Sequence, residues 1–250
     1  MILANIPYLN TTPYFHFLDK AWLDQQTLIS SIPRALGDMA RDGRLDAAIF
    51  SLVDAEGLVA SGRYEFLGNL GIAGRGPIQS ILLFGVRDPA ALEGKSIAVT
   101  SHTATSSRLM EIWLKEKVGI KAWTRVAPGE PASATLLIGD EALERALHLQ
   151  PGEPEPIDLC EAWTAWTGFP FVFARWAVRR DLPEPEKKAL REALSHSLDA
   201  SLADLEKVAE KQAGIFEKAM IQAYLKGITY HLGPEEEKGA ALFKEKLLRL

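Results

Sequence analysis

From residue 2 to about residue 178 the chain alternates short apolar runs with helical patterns, and this rhythm restricts its architecture more than any other feature. Ile2 to Ile6 reads as a strand stopped by Pro7, and Thr12-Pro13 reads as a helix start. Thr27 to Ile32 and Leu45 to Leu52 are further strands, the latter with Ser51 near its carboxyl end. Between them Pro33 opens a helix carrying Leu36 and Met39. Phe66 to Ala73, Ile78 to Val86, Ser96 to Val99, Ala122 to Val126, Ala134 to Ile138 and Phe169 to Val178 continue the strand pattern. Strands and helices alternating at this pace predict an α/β fold with a mostly parallel sheet. From Pro185 the pattern is helical throughout, over roughly Glu186 to Ala209, Ala213 to Lys226 and Pro234 to Leu248, with no strand expected.

A helical tail without strands must pack on something else, and the first α/β block has too few helices to cover both faces of its sheet. The expected organisation is therefore two lobes. Residues 1–84 with 179–250 form lobe 1, residues 88–174 form lobe 2, and crossover strands lie near 78–86 and 171–178. This is the layout of a two-lobed ligand trap with its site in the cleft. Four loops are expected to converge there: Asn10-Thr11, Gly76 to Ser80, Ser101 to Ser106 and Gly139-Asp140.

Composition narrows the class of partner. A net charge of −5 and a pI near 5.6 argue against a nucleic-acid binder. Apolar runs far shorter than a bilayer span argue against a membrane partner. Cys160, the single cysteine, excludes an internal disulfide and fits a reducing compartment. Together with an amino terminus that lacks the pattern of a secretory signal, this gives cytoplasmic as the expected location.

The chemistry concentrates between Gly76 and Leu114. Strand Ser96 to Val99 runs into Thr100, Ser101, Thr103, Thr105, Ser106 and Ser107, and an amphipathic helix with Leu109, Ile112 and Trp113 follows. A polar loop at a helix start aims backbone N–H groups at one spot, where the dipole favours an anion, and hydroxyls add donors without charge. The same residues also suit a purely structural role, with Thr103 or Thr105 capping the helix and Asp140 capping another. No paired carboxylate, Ser/His/Asp spacing, glycine-rich phosphate loop or Cys/His metal cluster is visible. Cys160 reads as core, as do Trp163, Trp166 and Trp176, although one tryptophan could line a pocket. Of the five histidines only His102 falls in a candidate loop. These residues describe a neutral, hydrogen-bonding pocket for a small anion, with no metal and no cofactor, and they do not by themselves specify a reaction.

Seven segments extend the reading: YLNTTPYF (Tyr8–Phe15), GRLDAAIFSL (Gly43–Leu52), GPIQSILLF (Gly76–Phe84), TSHTATSSRL (Thr100–Leu109), LLIGDEAL (Leu136–Leu143), DLCEAWTAWTGFPFVFARW (Asp158–Trp176) and YHLGPEEEKGAALF (Tyr230–Phe243). In this order the chain resembles the chorismate dehydratase family of the futalosine route to menaquinone. The resemblance implies the fold of type II periplasmic solute-binding proteins, chorismate as a dicarboxylate substrate, and no cofactor. It implies Asn10 and Ser80 at the chemistry. Thr11, Ser51, Gly76, Ser101, Thr103, Thr105, Ser106 and Asp140 complete the expected substrate-binding set. Pro7, where the family often has Ser, and Gln79 within GPIQS are departures that bear on substrate choice. Motifs of the sister enzyme that makes 1,4-dihydroxy-6-naphthoate are not apparent. Two alternatives stay open: a non-catalytic binder of a small carboxylate, and a related enzyme acting on another small carboxylate.

Overall fold

A computed structural model describes residues 1–250. Its strands in chain order are β1 (Ile2–Asn5), β2 (Thr27–Ser30), β3 (Ala47–Ser51), β4 (Tyr64–Gly74), β5 (Ile81–Phe84), β6 (Ser96–Val99), β7 (Thr124–Val126), β8 (Ala134–Ile138), β9 (Ile157–Asp158), β10 (Phe171–Arg179) and β11 (Ile228–His231). The chain divides into two compact units, Met1–Ala73 with Val172–Gly233, and Gly74–Phe171 with Pro234–Leu250. No helix is long and apolar enough to cross a membrane.

The first unit holds a six-stranded sheet in the order β11-β4-β10-β3-β1-β2. Every residue of β3 is buried, as a central strand covered on both faces requires. β1 runs parallel to both β2 and β3. β10 lies antiparallel to β3, with Trp176 opposite Ile49. The expected parallel order fails here because β10 enters this sheet from the other unit and is not bound by a strand–helix–strand crossover. Behind the sheet Tyr14 meets Trp176 and Tyr230 edge to face, with centroids 5.6 and 5.7 Å apart. Its hydroxyl donates to the Gly71 carbonyl at 2.6 Å. Gly71 leaves no room for a side chain: a Cβ there would stand 2.7 Å from the Ala174 carbonyl oxygen.

β11 corrects the expectation of a strandless tail. Ile228 and Tyr230 are buried on alternate positions, and the ladder continues past the strand where Leu232 N donates to Asn69 O at 2.8 Å. Four residues between two helices give too short a period-two signal to stand out.

The second unit holds a five-stranded sheet in the order β7-β6-β8-β5-β9. β6 is parallel to β7 and β8, whereas β5 is antiparallel to β8 and β9. The expected crossover strand over 78–86 is thus only β5, and it lies wholly within this sheet. The core is aromatic: Trp163 meets Phe171 and Phe243 at 5.3 and 6.1 Å, and Phe171 meets Phe243 at 5.0 Å. Edge-to-face pairs of this kind each contribute about 0.5–1.5 kcal/mol beyond burial. Gly239 passes so near the Pro170 carbonyl that a Cβ would stand 2.1 Å from its oxygen. These contacts tie the last helix, Pro234–Leu247, into the second unit, whereas the sequence reading placed all of 179–250 in lobe 1.

Candidate functional site

In the first unit β1 ends at Asn5, and Leu9–Thr11 forms a single 3-10 turn before the short helix Thr12–Phe15. Thr11 is buried, and its hydroxyl reaches Ile6 O at 2.6 Å and Tyr8 O at 2.9 Å. That side chain closes the turn and has little left to offer a ligand. Asn10, between Leu9 and Thr11, is half-buried and its amide has no partner within the chain. The turn therefore holds Asn10 with both its donor and its acceptor available.

Ser51, at the end of β3, is the N-cap of the helix Leu52–Ala60. Its hydroxyl accepts from Asp54 N at 3.3 Å and lies 2.7 Å from Asp54 Oδ2. Asp54 in turn receives Arg41 Nη1 at 2.8 Å. The Ser51 hydroxyl is thereby committed to starting the helix.

The remaining expected residues belong to the second unit, and its strand register explains why they gather. Val99 of β6 stands opposite Leu136 of β8, Ile138 of β8 opposite Ile81 of β5, and Leu82 of β5 opposite Asp158 of β9. The carboxyl ends of β6, β8 and β9 and the amino end of β5 thus share one edge. Three helices begin there: Thr105–Ile112, Gly139–Leu147 and Leu159–Thr167. Three helix amino termini at one edge bring backbone N–H groups together there, and those of Gly139–Leu147 and Leu159–Thr167 carry Asp140, Glu141, Asp158 and Glu161 in their caps and first turns.

At this edge the hydroxyl run divides. Thr103 Oγ1 accepts from Ser106 N at 3.0 Å and Ser107 N at 3.3 Å, so Thr103 caps the helix start. Ser107 Oγ donates to Ala104 O at 3.2 Å. Thr105 is buried, and Asp140 sits half-buried in the first turn of its helix; both are engaged with other groups. The hydroxyls of Ser101, exposed, and Ser106, buried, make no hydrogen bond within the chain.

The Gly76 to Ser80 loop is built differently. Gly76, at φ +78°, donates its N–H to Thr164 Oγ1 at 3.1 Å. Ile78 N and Gln79 N both donate to Asp158 Oδ2, at 2.8 and 2.6 Å. Ser80 O accepts from Gly139 N at 2.8 Å. Ser80 is 3% exposed, and its hydroxyl has no partner within the chain.

Asp158 was not among the residues expected at the site. The Asp158-to-Glu161 spacing identifies it in the sequence as a helix cap, and Cys160 N and Glu161 N do donate to its Oδ1 at 2.8 and 3.1 Å. Its second oxygen serves a segment some eighty residues away, which no local pattern reveals. Burial pushes the Asp158 carboxyl above its usual range, and the four amides oppose that shift. Burial likewise raises the Cys160 thiol, so this cysteine stays protonated and unreactive at neutral pH. Trp163 and Trp176 are fully buried core residues.

The first unit thus leaves the Asn10 amide available, and the second the hydroxyls of Ser80, Ser101 and Ser106. The three hydroxyls can bind an anion through neutral donors, and none of these four groups is a strong base.

A protein-family profile described as menaquinone biosynthesis matches residues 1–248. The chain is 31% identical over 266 residues to a chorismate dehydratase of Thermus thermophilus, covering 96% of this chain and 92% of that protein. It is also 28% identical over 196 residues to a 1,4-dihydroxy-6-naphthoate synthase of the same organism, covering 73% of this chain and 70% of that protein, a similarity that the sequence motifs did not suggest. Among solved structures, the periplasmic aliphatic sulphonate binding protein of Escherichia coli is similar with a TM-score of 0.67 at 14% identity, over 99% of this chain and 92% of that one. The fold is that of the periplasmic-binding proteins, and the chain belongs to the menaquinone biosynthesis family.

Proposed function

We propose that this protein is a chorismate dehydratase, converting chorismate to 3-[(1-carboxyvinyl)oxy]benzoate and water in menaquinone biosynthesis. The observation that carries the reading is the end-to-end similarity to a chorismate dehydratase, 31% identical over 96% of the chain. Asn10 and Ser80, the residues that the family resemblance implies at the chemistry, both keep side chains without a partner in the chain, which supports the reading.

In this reaction the proton at C3 and the hydroxyl at C4 are lost, amounting to one water, and the ring becomes aromatic. The C3–H bond is conjugated through a ring double bond to the ring carboxylate. Its electron pair is delocalised towards that carboxylate before it expels the C4 hydroxyl. Hydrogen bonds to the carboxylate stabilise the charge that develops there. Ser106, whose hydroxyl is free at a helix amino terminus, holds a substrate carboxylate. Ser80 donates its free hydroxyl at the reacting end, and Asn10 orients the ring. A neutral Asn is too weak a base to take the proton, so the substrate's own enolpyruvyl carboxylate accepts it and passes it to the C4 hydroxyl, which departs as water. Aromatisation drives the reaction, and positioning supplies most of what the protein must add.

Purified protein incubated with chorismate is expected to release the aromatic carboxyvinyloxy-benzoate. Tight chorismate binding without product would identify a binding protein instead. Turnover of a different carboxylate, with chorismate ignored, would identify a related enzyme.

A further inference from the structure

We propose that Asp158 is a positioning residue for Ser80, acting by clamping the loop that presents the Ser80 hydroxyl. The inference rests on the reading above for the role of Ser80, and on geometry for the clamp.

A helix cap needs one carboxylate oxygen. Asp158 spends Oδ1 on the cap, receiving Cys160 N and Glu161 N. It spends Oδ2 on Ile78 N and Gln79 N, the two amides directly before Ser80. Only an ionised carboxylate offers two oxygens that both accept from paired donors. Asp158 itself is fixed opposite Leu82 of β5, two residues beyond Ser80, so the clamp and its target share one sheet.

Gln79 shows what the clamp holds in place. Its φ of +61° makes it the one non-glycine residue of the chain in the left-handed region. A side chain there is strained and persists where the surroundings over-determine it. Here the surroundings are Asp158 on the amide side of Ser80 and Gly139 N on its carbonyl side, at 2.8 Å. Without Asp158, Gln79 relaxes to an extended conformation and turns the Ser80 backbone with it. The apolar pattern from Ile78 onward already favours a strand at this point.

Asp158→Ser separates the two roles, because Ser caps a helix about as well as Asp but supplies a single oxygen. In this variant the Ile78 and Gln79 amides should exchange with solvent at least about tenfold faster, while the Cys160 and Glu161 amides stay near wild type. Turnover of chorismate should fall at least about tenfold with KM changed much less, since misplacement is felt chiefly in the transition state. Adding Gln79→Gly should recover part of the turnover, because glycine enters the left-handed region freely. Gln79→Val, with Asp158 intact, should reproduce the loss by forcing the loop open, and it decides the matter if Asp158→Ser fails to fold. Unchanged exchange at Ile78 and Gln79, or wild-type turnover in a folded variant whose loop exchanges faster, overturns the proposal. Wild-type protein that gives no aromatic product sinks the reaction assignment instead, and amide exchange then decides the clamp alone.

Discussion

Two loops of the second unit meet the same edge of one sheet and present hydroxyls in opposite ways. The run from Thr100 to Ser107 is rich in hydroxyls, and most of them serve the chain itself. His102 N donates to Thr100 Oγ1, Thr103 caps two amides, and Ser107 bonds back to Ala104 O. The loop from Gly76 to Ser80 has one hydroxyl, and it is unpartnered because a distant carboxylate and a neighbouring amide satisfy the backbone around it. Density of polar side chains therefore does not measure how many of them remain free to meet a ligand. The informative quantity is which polar atoms remain after the fold has satisfied its own backbone.

The comparison sharpens most at Asn10, which resembles Ser80 in kind: a partnerless side chain on a turn closed by its neighbour Thr11. Asn10→Ala should lower turnover by about 10²-fold with a smaller change in binding, because misplacement costs mainly the transition state. Asn10→Asp keeps the shape and adds a charge that repels a dianion, so binding and turnover should both fall. A melting temperature lowered by a lost cap, with normal turnover, would place Asn10 with Thr103 as a structural residue.

Ser106→Ala comes next, since its hydroxyl is free although it lies in the crowded loop. Substrate binding should weaken by about 0.5–1.5 kcal/mol for a neutral hydrogen bond, and by up to about 3 for one to a carboxylate. An unchanged Michaelis constant would remove Ser106 from the binding groups.

His16 lies outside both loops and gives the smallest effect. Burial, and then Lys211, lowers its pKa, while Asp204 opposes the shift. The unfolded chain therefore binds the His16 proton more readily, so stability is full above about pH 6.5 and declines as pH falls through the lowered folded value. Thermal melts from pH 7.5 to 5.5 should show a shallower decline in His16→Gln. An identical slope would assign the acid sensitivity to other groups.

Much of the fold was legible because it is written in local periods. The runs at Ala47–Ser51 and Ala134–Ile138, and the proline at residue 13, mark their elements without help from the rest of the chain. What escaped is non-local. Ile78 continues an apolar run and reads as strand, but Asp158 holds that segment as a loop. The last helix joins the second unit because Phe243 finds Trp163 and Phe171, a pairing that no spacing announces. At the candidate site the residue types were legible, but whether each hydroxyl is free or spent depends on such partners. Thr11, Ser51 and Thr103 look like Ser80 in sequence and differ from it in their bonds.

The most direct test measures melting temperature and single-turnover rate on two variants, Ser80→Ala and Thr103→Ala. A free hydroxyl proposed to act on the substrate and a hydroxyl spent on a cap should fail differently. Ser80→Ala should melt with wild type and lose most of its turnover. Thr103→Ala should lose about 1 kcal/mol of stability, roughly 2–4 °C for a chain of this size, and keep the turnover of its folded fraction. The reverse pattern, stability lost at Ser80 and rate lost at Thr103, would contradict the account.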